Sequence, residues 1–351
     1  MSISIDAIKS ALSKVIEPDL KKDIITLDLV SDIQTDGNSI HFKLKVSNPA
    51  MHAKKRMQEA CEFAIERAFG KDVKASITME ALPKDRDLEV RKVLPDVKHI
   101  IAIASGKGGV GKSTITSNLA AGLAKQGYKV GLVDADIYGP SAPTMFDLVG
   151  RRPEGMEKDG KTLIDPIESY GVKVLSIGFF SDPDQAVVWR GPMASKALNQ
   201  LFKDANWTDL DYLLIDLPPG TGDIHLSLVQ NVPLTGVLIV STPQEVALAD
   251  ARKGINMFQM DSLKVPVIGL IENMAWFTPE ELPDNKYYIF GRDGAKNLAE
   301  SMNVPLLAQI PLIQSIRESG DIGRPAVLQE NTVSSRVFDE FVNTFIKAVE
   351  K

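Results

Sequence analysis

An octapeptide near the end of the first third of the chain has the residue types needed to hold a polyphosphate. It reads Gly106-Lys107-Gly108-Gly109-Val110-Gly111-Lys112-Ser113 and fits G-x-x-x-x-G-K-[ST]. A triphosphate is best held by backbone N–H groups, so the chain must pass close to it, and glycines permit both the approach and the turn. A helix opening directly after the loop adds free donors and partial positive charge. Lys112 would set an ammonium on the β/γ oxygens, and Ser113 a hydroxyl on Mg²⁺. Gly106, Gly108 and Gly111 also satisfy G-x-G-x-x-G, with Asp134 downstream, which is the fingerprint of dinucleotide sites. Lys112-Ser113 has no task in such a site, so a nicotinamide oxidoreductase is the weaker reading.

A second stretch supplies carboxylates. Tyr212-Leu213-Leu214-Ile215-Asp216 reads as a buried strand tipped by an acid, and Leu217-Pro218-Pro219-Gly220-Thr221-Gly222-Asp223 follows. An aspartate at the C-terminal edge of a strand is where Mg²⁺ or its water shell is held in phosphate-loop proteins, which makes Asp216 a metal-side candidate. Gly220 and Gly222 would let the turn shift with the γ-phosphate. Asp134 and Asp136 end a neighbouring strand; one is expected to hold the metal and the other to orient the attacking water, and spacing does not divide the roles. His225 reads as a helix-surface or packing residue rather than a base.

The elements that must position these groups are legible as alternation. His99–Ser105 is a β-branched apolar run, the helix after the loop carries Ile115, Leu119, Leu123 and Ala124 on one face, and Gly127 stops it. From residue 98 onward strands alternate with helices, which argues for a mostly parallel sheet covered on both faces. Strands are expected at 99–105, 129–134, 172–177, 211–216, 236–241, 265–271 and 304–310. The last helix, about Ser335 to Glu350, stripes Val337, Phe338, Phe341, Val342, Phe345, Ile346 and Val349. Its other face mixes Arg336, Asp339, Glu340, Lys347 and Glu350, so it should pack on the sheet rather than lie on lipid.

Residues 1–85 read as a small α+β domain. A helix over Ile5–Ile16 precedes a hairpin of Ile24–Ile33 and Ser39–Val46, with Asp36-Gly37-Asn38 as its turn. A second helix, Ala53–Phe69, stripes Met57, Ala60, Cys61, Ala64, Ile65 and Ala68, and Val73–Met79 closes the unit. Cys61 therefore reads as a core thiol. Residues 86–97, charged and bearing Pro95, read as a linker to a domain over 98–351.

Composition narrows the partners. The chain has 351 residues, 44% hydrophobic and 25% charged, with a formal net charge of −6. This is ordinary globular composition without the basic surface a nucleic-acid binder needs. No run of about 18 apolar residues is present, so no spanning helix or stable membrane association is expected. The start, MSISIDAIKSALSKVI, lacks a basic n-region and an apolar h-region, so it is not a secretory signal and a cytoplasmic protein is expected. A single cysteine forms no intrachain disulfide and no thiolate cage.

GKGGVGKST, with Lys107 directly after the first glycine, resembles the deviant phosphate loop of the MinD/ParA class of ATPases. VDADIYGPS (133–141), VVWRGPM (187–193), LLIDLPPGTGD (213–223), IENMAWF (271–277) and YYIFG (287–291) narrow the likeness to the Mrp-type iron–sulfur cluster carrier ATPases. VIEPDLKKDIITLDLV (15–30) resembles the small iron–sulfur-assembly domain often fused ahead of them. The resemblance implies a phosphate-loop NTPase fold, ATP and Mg²⁺ as ligands, a nucleotide-sandwich homodimer, and assembly factors or apo client proteins as partners. It implies that Lys107 acts in trans on the partner's ATP, that Gly106 and Gly108–Thr114 hold phosphates with Lys112 central, and that Asp136 orients water. Ser113, Asp134 and Asp216 are then the metal-side residues, Asn273 reads the adenine edge, and Pro311 wraps the base.

One departure bears on cargo. Relatives of this type carry Cys-x-x-Cys between the Asn-Met-x-x-Phe and Tyr-x-x-Phe-Gly segments, and two such pairs supply four thiolates to a cluster. This chain has Thr278-Pro279-Glu280-Glu281-Leu282-Pro283-Asp284-Asn285-Lys286 there, and Pro49-Ala50 is followed by Met51-His52 where relatives often have a cysteine. Carboxylates are hard ligands poorly suited to a sulfide cluster. An iron–sulfur cluster is thus implied as cargo while its usual ligands are absent, and an ATP-dependent switch or adaptor without a cluster is the alternative.

Overall fold

The structure, a computed structural model, describes residues 4–17, 22–27, 29–37, 39–46, 51–70, 72–81, 94–158, 160–180, 191–261 and 263–350. Contacts divide the chain into two compact units, Met1–Arg86 and Asp87–Lys351.

The first unit runs α1 (Ile5–Leu12), β1 (Ile16–Glu17), β2 (Lys22–Asp23), β3 (Val30–Asp36), β4 (Ser39–Val46), α2 (Met51–Phe69) and β5 (Lys74–Ala81). β3 and β4 pair antiparallel, and β5 joins β4 in parallel. Alternation in β4 puts Ile40, Phe42, Leu44 and Val46 on the core face, where they meet Met57, Cys61 and Ile65 of α2. The strand expected from Ile24 begins at Val30 instead. Asp23 Oδ1 accepts from the N–H groups of Ile25 (3.1 Å) and Thr26 (2.8 Å), which folds 23–27 into a turn. The first helix stops at Leu12, because residues 16–17 pair with 22–23.

The second unit runs β6 (Val97–Ala104), α3 (Lys112–Lys125), β7 (Val130–Asp134), α4 (Ala142–Met145), β8 (Glu154–Lys158), β9 (Lys161–Asp165), β10 (Ile167–Ser169), β11 (Val172–Ser176), α5 (Gly191–Lys203), β12 (Leu210–Asp216), α6 (Asp223–Asn231), β13 (Gly236–Ser241), α7 (Glu245–Gln259), β14 (Val267–Phe277), α8 (Gly294–Met302), β15 (Leu306–Leu312), α9 (Gln314–Asp321) and α10 (Val333–Val349). Among the described residues one sheet has the order β10-β11-β7-β12-β6-β13-β14-β15, all parallel except the edge strand β10. The seven expected strands are all in it. β10 and the separate β8–β9 hairpin had no signal, being short and largely exposed. β14 continues to Phe277, where it still pairs with β15. Leu94 is buried in this unit's core and β6 opens at Val97, so the expected linker ends early; residues 82–93 lie outside the described ones.

α3 is not one-sided as its pattern suggested. Residues from Ile115 through Leu123 are buried almost all round, because α10 closes over the side away from the sheet. Gly122 permits that closure: a Cβ there would sit 2.6 Å from Val342 Cγ2. α10 buries Phe338, Phe341, Val342, Phe345 and Ile346, the stripe read from sequence, and Thr332 caps it by accepting from Ser335 N–H. Among the described residues no helix is long and apolar enough to cross a membrane.

Candidate functional site

The loop leaves the C-terminal end of β6, the middle of the sheet, and enters α3 at Lys112. Gly111 has φ of 83° and Gly109 of 80°, the left-handed region that glycine occupies without strain. Close approach also fixes composition: a Cβ on Gly111 would lie 2.1 Å from Asn273 Nδ2, and one on Gly106 would lie 2.2 Å from the carbonyl carbon of Asp250 in α7. Gly111 caps α3 with no side-chain hydrogen bond, which leaves first-turn N–H groups open to an anion. Lys107, Gly108 and Gly109 are exposed, and Gly220 N–H donates to Ser105 C=O (2.9 Å), tying the 217–222 turn to the loop.

The carboxylates meet Lys112 beneath this loop. Strand register sets Ser176, Asp134 and Asp216 in one row across β11, β7 and β12 at the sheet's C-terminal edge. Lys112 Nζ lies 2.9 Å from Asp216 Oδ1 and 3.6 Å from Asp136 Oδ2. Ser113 Oγ donates to Asp216 Oδ2 (2.5 Å), and Thr116 Oγ1 lies 2.9 Å from Asp216 Oδ1. Thr116 went unremarked in the sequence; its signal is its place one helical turn after Lys112, on the same face. Lys112, Asp136 and Asp216 are all buried. Burial pushes the Asp136 carboxyl above the usual carboxylate range, against the Lys112 ammonium, and the Asp216 charge adds to the rise. The oxygen donors of Asp216 and Ser113 suit a hard divalent cation such as Mg²⁺.

Asp134, expected on the metal side, accepts hydrogen bonds on both oxygens. Its Oδ1 accepts from Asp136 N–H (3.2 Å), and its Oδ2 accepts from Ser141 N–H (3.0 Å), Ala142 N–H (3.0 Å) and Ser176 Oγ (2.9 Å). It is 0% exposed, and both oxygens are committed to the loop that follows β7. Burial, with the Asp216 charge behind it, lifts its carboxyl to about 7.

A cleft of ≈ 440 Å³ opens beside the loop and brings together Gly111, Thr114, Asn273 and Pro311, with Met145, Met274 and Ile313 as apolar wall. Its volume is in the range of small-molecule sites. Asn273 Nδ2 donates to the Val110 carbonyl (2.9 Å), so this side chain also braces the phosphate loop.

Residues 96–346 match the family described as the NUBPL iron-transfer P-loop NTPase. The chain belongs to that family. Residues 5–77 also match the iron–sulfur cluster assembly protein family. The iron–sulfur cluster carrier protein of Synechocystis sp. is 43% identical over 329 residues, 93% of this chain and 92% of the relative. The carrier protein of Escherichia coli K12 is 43% identical over 324 residues, 92% of this chain and 85% of the relative. Among solved structures, a nucleotide-binding protein from Archaeoglobus fulgidus in complex with ADP is similar, with a TM-score of 0.58 and 37% identity over 68% of this chain and 91% of that one. The Pyrococcus furiosus cell division ATPase MinD shares the fold, with a TM-score of 0.50 and 24% identity over 71% of this chain and 98% of that one.

For an iron-transfer NTPase the thiols are sparse. Cys61, the one cysteine of the sequence, is 0% exposed, and burial pushes its thiol up to about 12, with Glu62 adding to the rise. Among the described residues no group of three or more His, Cys, Asp or Glu is placed to hold a metal ion. Residues 279–290 form a mostly exposed loop in which Lys286 Nζ sits 3.9 Å above the Trp276 ring. His225 is buried, as a packing residue would be; its ring bonds to the Pro218 carbonyl, and burial lowers its basicity. Pro49-Ala50, and residues 187–190 of the VVWRGPM segment, lie outside the described residues.

Proposed function

We propose that this chain is a Mg²⁺-dependent ATPase that works as a homodimer, two copies facing each other across their nucleotides, in the delivery of iron–sulfur clusters to client proteins. The observation that carries this reading is the buried network at the glycine loop, where Lys112, Ser113 and Thr116 all converge on Asp216. A lysine that neutralises an acid pair can exchange that pair for phosphate oxygens. The carrier relatives and the ADP-bound neighbour support the cargo and the nucleotide respectively.

Each residue then has a task. Backbone N–H groups of Gly106–Thr114 cradle the phosphates, and Lys112 turns from Asp216 to the β/γ oxygens. Ser113 and Asp216 would hold Mg²⁺, which when bound draws charge from those oxygens. Asp136, two residues past the strand tip, accepts a hydrogen bond from the attacking water and aims it. Lys107, exposed in this chain, reaches the γ-phosphate bound by the partner copy. The base lies in the cleft by Asn273 and Pro311. The Gly220–Gly222 turn passes the state of the nucleotide to the surface that meets assembly factors or apo clients.

Lys107→Ala tests the sandwich. Turnover is expected to fall about 10³-fold, the scale of a cation supplied in trans to phosphoryl transfer, with the fold unchanged. Unaltered turnover would count against the dimer mechanism.

A second reading is favoured by one observation, the single buried cysteine. In it the chain is an ATP-driven switch or adaptor, and partners supply the thiolates. Anaerobic reconstitution with iron and sulfide separates the two. A stoichiometric cluster that passes to an apo-protein supports the carrier, and an absent chromophore supports the switch.

A further inference from the structure

The loop between β7 and α4 has both of its ends gathered on one side chain. Asp134 takes the Asp136 N–H at the start of the loop and the Ser141 and Ala142 N–H groups at its close. Ser176, its neighbour in the strand row, donates its hydroxyl to the same carboxylate. The same hydroxyl oxygen accepts from Gly178 N–H at 3.0 Å. Gly178 in turn lies against Pro140, where a Cβ would stand 3.0 Å from the proline's Cβ. The loop so held carries Asp136, whose Oδ1 accepts from Tyr138 N–H (3.3 Å) while Oδ2 faces Lys112 at 3.6 Å. Its far end, Pro140-Ser141, forms part of the nucleotide cleft.

We propose that Asp134 is a positioning residue that sets the aim of Asp136 and the Pro140-Ser141 wall together, and that it holds no metal. The proposal rests on the ATPase reading above for its kinetic consequences. A metal at Asp134 would have to displace several of four donors at a fully buried carboxylate, whereas Asp216 and Ser113 present oxygens beside the phosphate loop. Through Asp134 one β-strand tip couples the water-orienting acid to the base site.

Three variants and two readouts test it. Asp134→Asn turns an amide NH₂ toward backbone donors, and Ser176→Ala removes one donor while leaving the carboxylate. In the nucleotide-free protein, hydrogen exchange at the amides of Asp136, Ser141 and Ala142 should quicken about tenfold or more in Asp134→Asn and a few-fold in Ser176→Ala. Ser176→Thr should restore the slow exchange. In turnover, kcat should fall more than about tenfold in Asp134→Asn, while the Mg²⁺ concentration for half-maximal rate stays within about twofold of the parent's. A Mg²⁺ requirement raised about tenfold overturns the proposal, and so does loop exchange that neither Asp134→Asn nor Ser176→Ala changes. Failure of the parent to turn over ATP would sink the ATPase reading, yet the exchange experiment would still decide what Asp134 does. Should Asp134→Asn fail to fold, Ser176→Ala and Ser176→Thr carry both readouts.

Discussion

Lys112→Met is the perturbation whose cost can be worked most directly. It removes the ammonium between Asp216 (2.9 Å) and Asp136 (3.6 Å) and leaves three buried carboxylates, Asp134 included, with no cation in contact. Deleting one partner of a buried ion pair costs about 3–5 kcal/mol. A ceiling comes from the escape route, protonating one acid. An aspartate with an unfolded-state value near 4 costs about 1.4 kcal/mol for each pH unit above it, hence roughly 5–6 kcal/mol at about pH 8 and roughly 2 at about pH 5.5. At roughly 2–4 °C per kcal/mol for a domain of this size, Tm of the nucleotide-free variant should lie about 6–20 °C below the parent's at about pH 8. At about pH 5.5 the ceiling of roughly 2 kcal/mol should hold the gap to about 4–8 °C or less. Scanning calorimetry at the two pH values measures both quantities. Equal Tm values at the higher pH, or a gap that does not shrink, would refute the reasoning that Lys112 balances this acid cluster before it ever meets a phosphate.

Three further outcomes are expected. Asn273→Ala removes the hydrogen bond to the Val110 carbonyl and part of the cleft wall, and should weaken ATP about tenfold by equilibrium binding, the equivalent of about 1–2 kcal/mol. Asp134 and Asp136 are both raised in the folded state, so folded protein binds more protons than unfolded protein between the ordinary aspartate value and about 7. The stability these two acids contribute should therefore fall as pH rises through that window, against the opposite trend of His225, whose basicity burial lowers, and the stability difference between the nucleotide-free parent and Asp134→Asn in denaturant titrations should shift in the parent's disfavour across it. Cys61→Ser buries a hydroxyl in an apolar core and should cost about 1–3 kcal/mol in urea unfolding while ATP turnover is unchanged, and iodoacetamide should label Cys61 only on unfolding.

Much of the architecture was legible because its signals are local. Each core strand of the second unit is a short apolar run between turn residues, and burial on both faces makes such runs conspicuous. The glycine loop was legible for the same reason: Gly109 and Gly111 need positive φ, and the helix after them starts at once. Elements that bury little, such as β8, β9 and β10, left no pattern to read. The β3 start was misplaced because the deciding contact is a side chain bonding its own backbone, Asp23 to Ile25 and Thr26, inside an otherwise apolar stretch.

The site was legible only as far as chain neighbours could carry it. Lys112, Ser113 and Asp216 follow from motif and strand tip, but the division of labour between Asp134 and Asp136 does not, since both sit at the end of one strand two residues apart. What separates them is the sheet order. β7 lies between β11 and β12, so Asp134 falls in a row with Ser176 and Asp216 and is enclosed on both sides. Asp136 has already left the sheet and stands free to face Lys112. Ser176 lies 42 residues beyond Asp134, and nothing in its own stretch marks it. An acid at the tip of an inner parallel strand is therefore two different objects, depending on whether its lateral neighbours offer donors or leave an opening. Here Ser176 and the returning Ser141-Ala142 backbone supply the donors to the first aspartate, while the second faces the Lys112 ammonium.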